Sequence, residues 1–153
     1  MDIAKFEKVE NKIIEINGQK VIIDTDVAEI YGVVTRDINK AVKNNPDKFP
    51  AGYIIEFSKD QKKELVEKFH RFENLKHSTV NPKAFTEKGL YMLATILKSD
   101  IATQTTIAVI ETFAKIKNLS KNIKELSTIK DEQRKQRSES INQEHFNFLR
   151  TSH

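Results

Sequence analysis

The chain has 153 residues, enough for one domain of ordinary size with an appendage and too short for two full domains. It contains no cysteine, which excludes disulfides and thiolate metal sites, and no apolar run approaches the roughly 18 residues that a membrane span requires. Charged residues make up 31% with a net charge of +4, which permits a polyanionic partner without demanding one. The first 57 residues, with 8 basic and 10 acidic groups, are net −2, while residues 58–100 and 101–153 are each net +3. The lack of cysteine fits a reducing compartment, and the expected location is cytoplasmic. Met1 to Glu10 mixes charges, has no apolar h-region and reads as an N-terminal lead rather than a signal peptide.

In chain order, the first firm element is a β-hairpin. Ile13 to Ile16 and Val21 to Ile23 are β-branched arms around Asn17-Gly18, the preferred pair for a tight primed turn. A short helix follows, from Asp26 to Tyr31 with Thr25 as cap, in which Val27, Ile30 and Tyr31 share a face. Gly32 stops it. A second helix runs from Arg36 to Asn45, capped by Thr35 and ended by Pro46. Tyr53 to Phe57 reads as a strand, and Ser58-Lys59-Asp60-Gln61 as a capping box that opens a helix to Phe69. Residues 70–83 lose periodicity and are expected to form a mobile loop or hairpin tip. Ala84-Phe85 forms a short strand, Thr86 caps a helix to Lys98, and Asp100 caps a long last helix. In that helix Ile116, Leu119, Ile123 and Leu126 alternate by three and four as a heptad seam, which fades at Lys130 and Gln133.

Two helices joined by Gly32-Val33-Val34-Thr35 match the helix-turn-helix plan. In the second helix Ile38 and Val42 face inward, while Arg36, Lys40 and Lys43 recur at i, i+4 and i+7 with Asn39 and Asn44 beside them. Arginine and lysine can donate to guanine and asparagine can pair with adenine, so these are the residue types a reading helix needs. The competing reading is an ordinary solvated helix face. Thr35 belongs with this set, and Asn39 is expected closest to base edges. Arg71, Lys76, His77 and Lys83 could form a wing that touches phosphates. The four histidines lack ligand spacing, and no phosphate-binding glycine loop or serine elbow occurs. No catalytic, metal or cofactor residues are therefore assigned, and no enzymatic activity is expected.

Three blocks carry a resemblance. Asp24-Thr25-Asp26-Val27-Ala28-Glu29-Ile30-Tyr31-Gly32-Val33 is one. The second is Asn39 to Asn45 with Lys48-Phe49-Pro50, and the third is Ala84-Phe85-Thr86-Glu87-Lys88-Gly89 with Met92-Leu93. Together, over about residues 10–120, they resemble the phage ORF-six N-terminal domain, a relative of the KilA-N domain. Arginine is usual in that family where Asn44 stands. The resemblance implies a DNA-binding module of phages, prophages and mobile elements, found in regulators and antirepressor-like proteins, without enzymatic activity or cofactor.

The expected fold is α+β: a helix-turn-helix core with small, winged-helix-like β-hairpins, then a long C-terminal helix. The expected divisions are a lead at 1–10, the DNA-binding domain at 11–118, and a helical extension with a polar tail at 119–153. The expected partners are double-stranded DNA and a second copy, paired through Ile116, Leu119, Ile123 and Leu126. The alternative is a protein-interaction module that uses the long helix and has no DNA binding.

Overall fold

A computed structural model describes residues 3–151, with side chains described from 5 to 139. The fold is α+β: helices packed about a four-stranded antiparallel sheet, with a long C-terminal helix. The chain divides into two units, residues 1–113 and 114–153.

In the first unit, α1 (Ile3–Glu10) precedes the hairpin of β1 (Ile14–Ile16) and β2 (Gln19–Ile23). The lead expected at 1–10 is thus helical over Ile3–Glu10, and it contributes Val9, fully buried, to the core. At the hairpin tip Asn17 and Gly18 both take positive φ, 51° and 78°, as a primed turn requires. There follow α2 (Asp24–Tyr31), α3 (Thr35–Asn44), β3 (Ile54–Glu56), α4 (Lys59–Lys68), β4 (Lys83–Thr86), α5 (Glu87–Ala94) and α6 (Asp100–Thr151). Among the described residues no helix is long and apolar enough to cross a membrane.

The strand order is β1-β2-β4-β3. β2 therefore sits at the centre and pairs with β4, Ile22 lying opposite Phe85. Successive strand residues point to opposite faces. Ile22 and Phe85 enter a core built with Val27, Ile30, Ile38, Leu90 and Leu93. Val21, Ile23 and Ala84 enter a second core with Phe57, Leu65 and Phe72. Because both faces are covered, Val21, Ile22 and Ile23 are all fully buried, which explains their continuous apolar run. The two central strands, β2 and β4, thus form a buried layer between the two cores, while β1 and β3 are partly exposed.

The turn between α2 and α3 is closed by hydrogen bonds. Gly32 takes φ 70° just beyond α2. Its N–H donates to the Glu29 carbonyl at 3.2 Å, and the Val33 N–H to that of Ala28 at 3.0 Å. This is the Schellman pattern, which satisfies carbonyls a helix end leaves free. Another such carbonyl, that of Ile30, accepts from the Thr105 hydroxyl at 3.1 Å. The Tyr31 and Thr106 hydroxyls meet at 2.9 Å. The start of α6 thus braces the end of α2.

Several expectations are corrected. The loop expected at 70–83 is shorter: His70–His77 is a 3-10 helix whose Phe72 is buried in the second core with Leu65, residues 78–82 are irregular, and β4 begins at Lys83. Phe69, Phe72 and Leu75 recur every three residues, the period of a 3-10 helix, and all pack into the second core. α2 starts at Asp24 with Ile23 before it and no side-chain cap, so Thr25 lies inside the helix; the Asp24 carboxylate accepts from the Thr25 N–H at 2.9 Å, in the first turn, where the helix dipole favours an anion. Val34, not Thr35, precedes α3, without a side-chain cap. Ser99 accepts from the Ala102 N–H at 3.1 Å ahead of α6, the role expected of Asp100. α5 ends at Ala94, short of Lys98. The Ser58–Gln61 capping box is present in both directions.

The block from Ala84 to Gly89 has a specific packing role. The Thr86 hydroxyl accepts from the Gly89 N–H at 3.3 Å and caps α5. It also lies 3.0 Å from the carbonyls of Gly52 and Tyr53, which share its proton. The backbone before β3 is thereby drawn onto the first turn of α5, so close that a Cβ on Gly89 would overlap the Tyr53 carbonyl oxygen. Backbone cannot move aside as a flexible side chain can. Gly89→Ala is therefore expected to destabilise the domain by about 1–3 kcal/mol, the range for overpacking. Urea unfolding checks it: an unchanged midpoint would show that α5 and Tyr53 are not held together.

Candidate nucleic-acid interface

α3 presents two faces. Ile38 is fully buried and Val42 half-buried against the core. On the outer side Arg36, Lys40, Lys43 and Asn44 are exposed. None of these three cations forms an ion pair among the described residues. They open onto a groove of about 770 Å³ between α3 and the β3–β4 edge, and Asn39 and Lys83 line the same groove. Phe49 and Pro50 contribute apolar lining, and Glu56 is its one acid, directly opposite Lys83 in the sheet register. Five of the ten residues expected to touch DNA, Arg36, Asn39, Lys40, Lys43 and Lys83, thus converge on one concavity. Thr35 is half-buried in the first turn of α3 and Asn44 ends the helix; neither lines the groove.

Asn39 does not hold the position expected for it. Its Nδ2 donates to the Asp24 carboxylate at 3.3 Å, and its Oδ1 is buried, with no hydrogen-bond partner among the described residues. The acceptor needed to pair with adenine is therefore turned away from the open groove. Asn39 ties α3 to the start of α2, and the accessible donors are those of Arg36, Lys40 and Lys43.

Arg71 is engaged elsewhere. Its Nη2 lies 3.2 Å from the buried carboxylate of Asp26, and its guanidinium stands over the Phe72 ring at 4.6 Å. Lys12 approaches the same carboxylate at 3.7 Å and Glu29 at 2.8 Å. A cation already matched to a buried acid is held in the fold, not offered to a phosphate. Lys76 and His77 are exposed on the 3-10 helix, and Lys76 lines a different cavity. Of the four residues expected to form a wing, Lys83 lines the α3 groove, Lys76 lines the other cavity and Arg71 is paired with Asp26. Nothing in the sequence around Arg71 signals its acid partner, because Asp26 lies on another element.

In the second unit Ile116 is half-buried, while Leu119, Ile123 and Leu126 are 57, 60 and 52% exposed; Ile129, not expected in the seam, is 49% exposed. Among the described residues no group of three His, Asp or Glu side chains is placed to hold a metal ion.

Burial raises the pKa of Asp24 above its ordinary 3.8, with hydrogen bonds from Asn39, Thr25 and Lys83 opposing the shift. Burial likewise raises Asp26, against the charges of Arg71 and Lys12. A carboxyl raised in the folded state binds more protons there than when unfolded, so stability falls as pH rises through the folded pKa. Below the unfolded value both states are protonated and the contribution is constant. Asp24→Asn is therefore expected to gain stability relative to the parent as pH rises from 3.8 into the window just above it. Urea unfolding of both proteins across that window checks this; a constant difference would show that Asp24 does not titrate there.

No curated protein and no solved structure matches the chain. The family model of the ORF6N domain matches residues 11–96, from β1 and the α2–α3 pair through α5. That span is more than half of the chain and contains every residue lining the groove, and the protein belongs to the ORF6N domain family.

Proposed function

We propose that this protein binds double-stranded DNA through the groove beside α3 and acts as a phage-type regulator or antirepressor, without catalysis or cofactor. The observation that carries the reading is the convergence of Arg36, Lys40, Lys43 and Lys83 on one concavity, the first three exposed and free of ion pairs among the described residues. Elsewhere in the same unit Arg71 and Lys12 are matched to acids. Cations left unmatched along a groove are the arrangement that an anionic backbone would complement. Membership of the ORF6N family supports the regulatory part of the reading.

Within the groove, Arg36 is the group suited to bidentate donation to guanine, and Lys40, Lys43 and Lys83 to phosphate contact. Asn39 and Asp24 orient α3 from behind. The triple change of Arg36, Lys40 and Lys43 to Ala is expected to lower duplex affinity at least about tenfold and to reduce the salt dependence by about three in slope. Arg36→Ala alone is expected to relax base choice at one position by about 1–3 kcal/mol. Titration of a selected duplex at several salt concentrations checks both. Intact affinity in the triple variant would overturn the α3 assignment.

The protein is further proposed to pair with a second copy through Ile116, Leu119, Ile123 and Leu126. Four aliphatics at three-four spacing form a self-complementary seam, and the flanking Ser120, Asn122 and Ser127 carry no charge that would repel an identical helix. An uncovered stripe of this kind is unusual on a monomer. A dimer would present two α3 grooves to one duplex. Sedimentation at micromolar concentration is expected to give a dimer mass that falls to the monomer on Ile123→Asp/Leu126→Asp. A monomer mass for the parent would reject the dimer and favour the long helix as a docking surface for another protein.

A further inference from the structure

A second basic cavity, of about 680 Å³, opens between α4 and the segment that follows the 3-10 helix. Lys59, Lys62, Lys63, Val66 and Glu67 recur at helical spacing along one face of α4, and Lys76, Ser78, Thr79 and Asn81 close the other side. Lys62 is the unusual member. It is only 8% exposed, and its ammonium donates to the backbone carbonyls of Ser78 and Val80, not to a carboxylate. Carbonyl dipoles compensate a buried ammonium in part, whereas an anion would compensate it fully. Lys59, Lys63 and Lys76 form no ion pair among the described residues, and Glu67 is the only acid lining the cavity. Four cations against one carboxylate, around a wall of hydroxyl and amide side chains, is the chemistry of a phosphate site.

The cavity and the α3 groove lie on opposite faces of the sheet and approach each other at the end where β3 stops and β4 begins. Glu56 and Lys83 face each other in that groove. One residue further along, the Phe57 N–H donates to the Pro82 carbonyl at 3.2 Å. Immediately beyond that bond the two chains run into Lys59 and Asn81, which line the cavity. We infer that this cavity takes a backbone phosphate of the duplex engaged by α3, extending the contact beyond the reading helix; the inference rests on the duplex-binding reading. Its contribution is independent of base sequence, because phosphate carries no base identity.

The test uses the full 15N-labelled chain and the variant Lys63→Ala/Lys76→Ala, both exposed residues, so that folding is not at stake. Inorganic phosphate is expected to shift the amide signals of Ser78, Thr79 and Asn81 in the parent and not in the variant. The variant is expected to bind every duplex more weakly, with the slope of log K against log salt reduced by about two. No phosphate response together with an unchanged slope would overturn the inference. A phosphate response with an unchanged slope would assign the cavity to a free phosphate-bearing ligand and overturn the shared-duplex assignment. A parent that binds no duplex would reject the proposed function and the shared duplex together, while the phosphate arm alone would still decide whether the cavity is an anion site.

Discussion

The pairing of β2 with β4 holds the first unit together. It joins two segments far apart in sequence, and the apolar side chains it aligns belong to two cores: Ile22 and Phe85 to one, Val21, Ile23 and Ala84 to the other. Burying both faces of a strand removes more apolar area from water than burying one. Two helices start directly from this pair. α2 begins at Asp24, the residue after β2, and α5 at Glu87, the residue after β4. The groove inherits its position from the same source, for β4 supplies Lys83 and α2 supplies the acid to which α3 is tied.

Two buried acids at the start of α2 organise the charges around them. Asp24 sits where the helix N-terminus favours an anion and takes hydrogen bonds from Thr25 and Asn39. Asp26 takes Arg71 from the 3-10 helix and Lys12 from the segment before β1. Each acid costs desolvation, seen in its raised pKa, and each draws a distant element into place. Basic residues are thereby sorted into those the fold consumes, such as Arg71, and those it leaves toward solvent, such as Arg36, Lys40 and Lys43. A charge count over the sequence cannot make that distinction.

The two basic concavities differ in construction. The α3 groove is an exposed helix face set against a sheet edge, with long side chains free to adjust. The α4 cavity is built around one buried ammonium held by backbone carbonyls, so its geometry depends on the turn at residues 78–80. Adaptable donors suit contacts that vary with base sequence, and a fixed cation suits a contact that recurs at every phosphate.

Features set by neighbours within a few residues were legible from the sequence. The Asn17-Gly18 turn, the Gly32 helix stop, the Ser58–Gln61 capping box and the Thr86 cap each rest on a local hydrogen bond or a positive φ. The amphipathic face of α3 and the seam from Ile116 to Leu126 are likewise properties of helical spacing. Only the tertiary structure decided which strands pair, which core Phe72 and Leu75 enter, and why Gly89 must lack a Cβ. It also decided that Asp26 takes Arg71, that Asp24 turns Asn39 inward, and that Lys83 joins the α3 cations. The reason is physical: a cap or a turn is satisfied by atoms a few bonds away, whereas a buried ion pair, a strand register or a groove is satisfied by atoms that only the folded chain brings within reach.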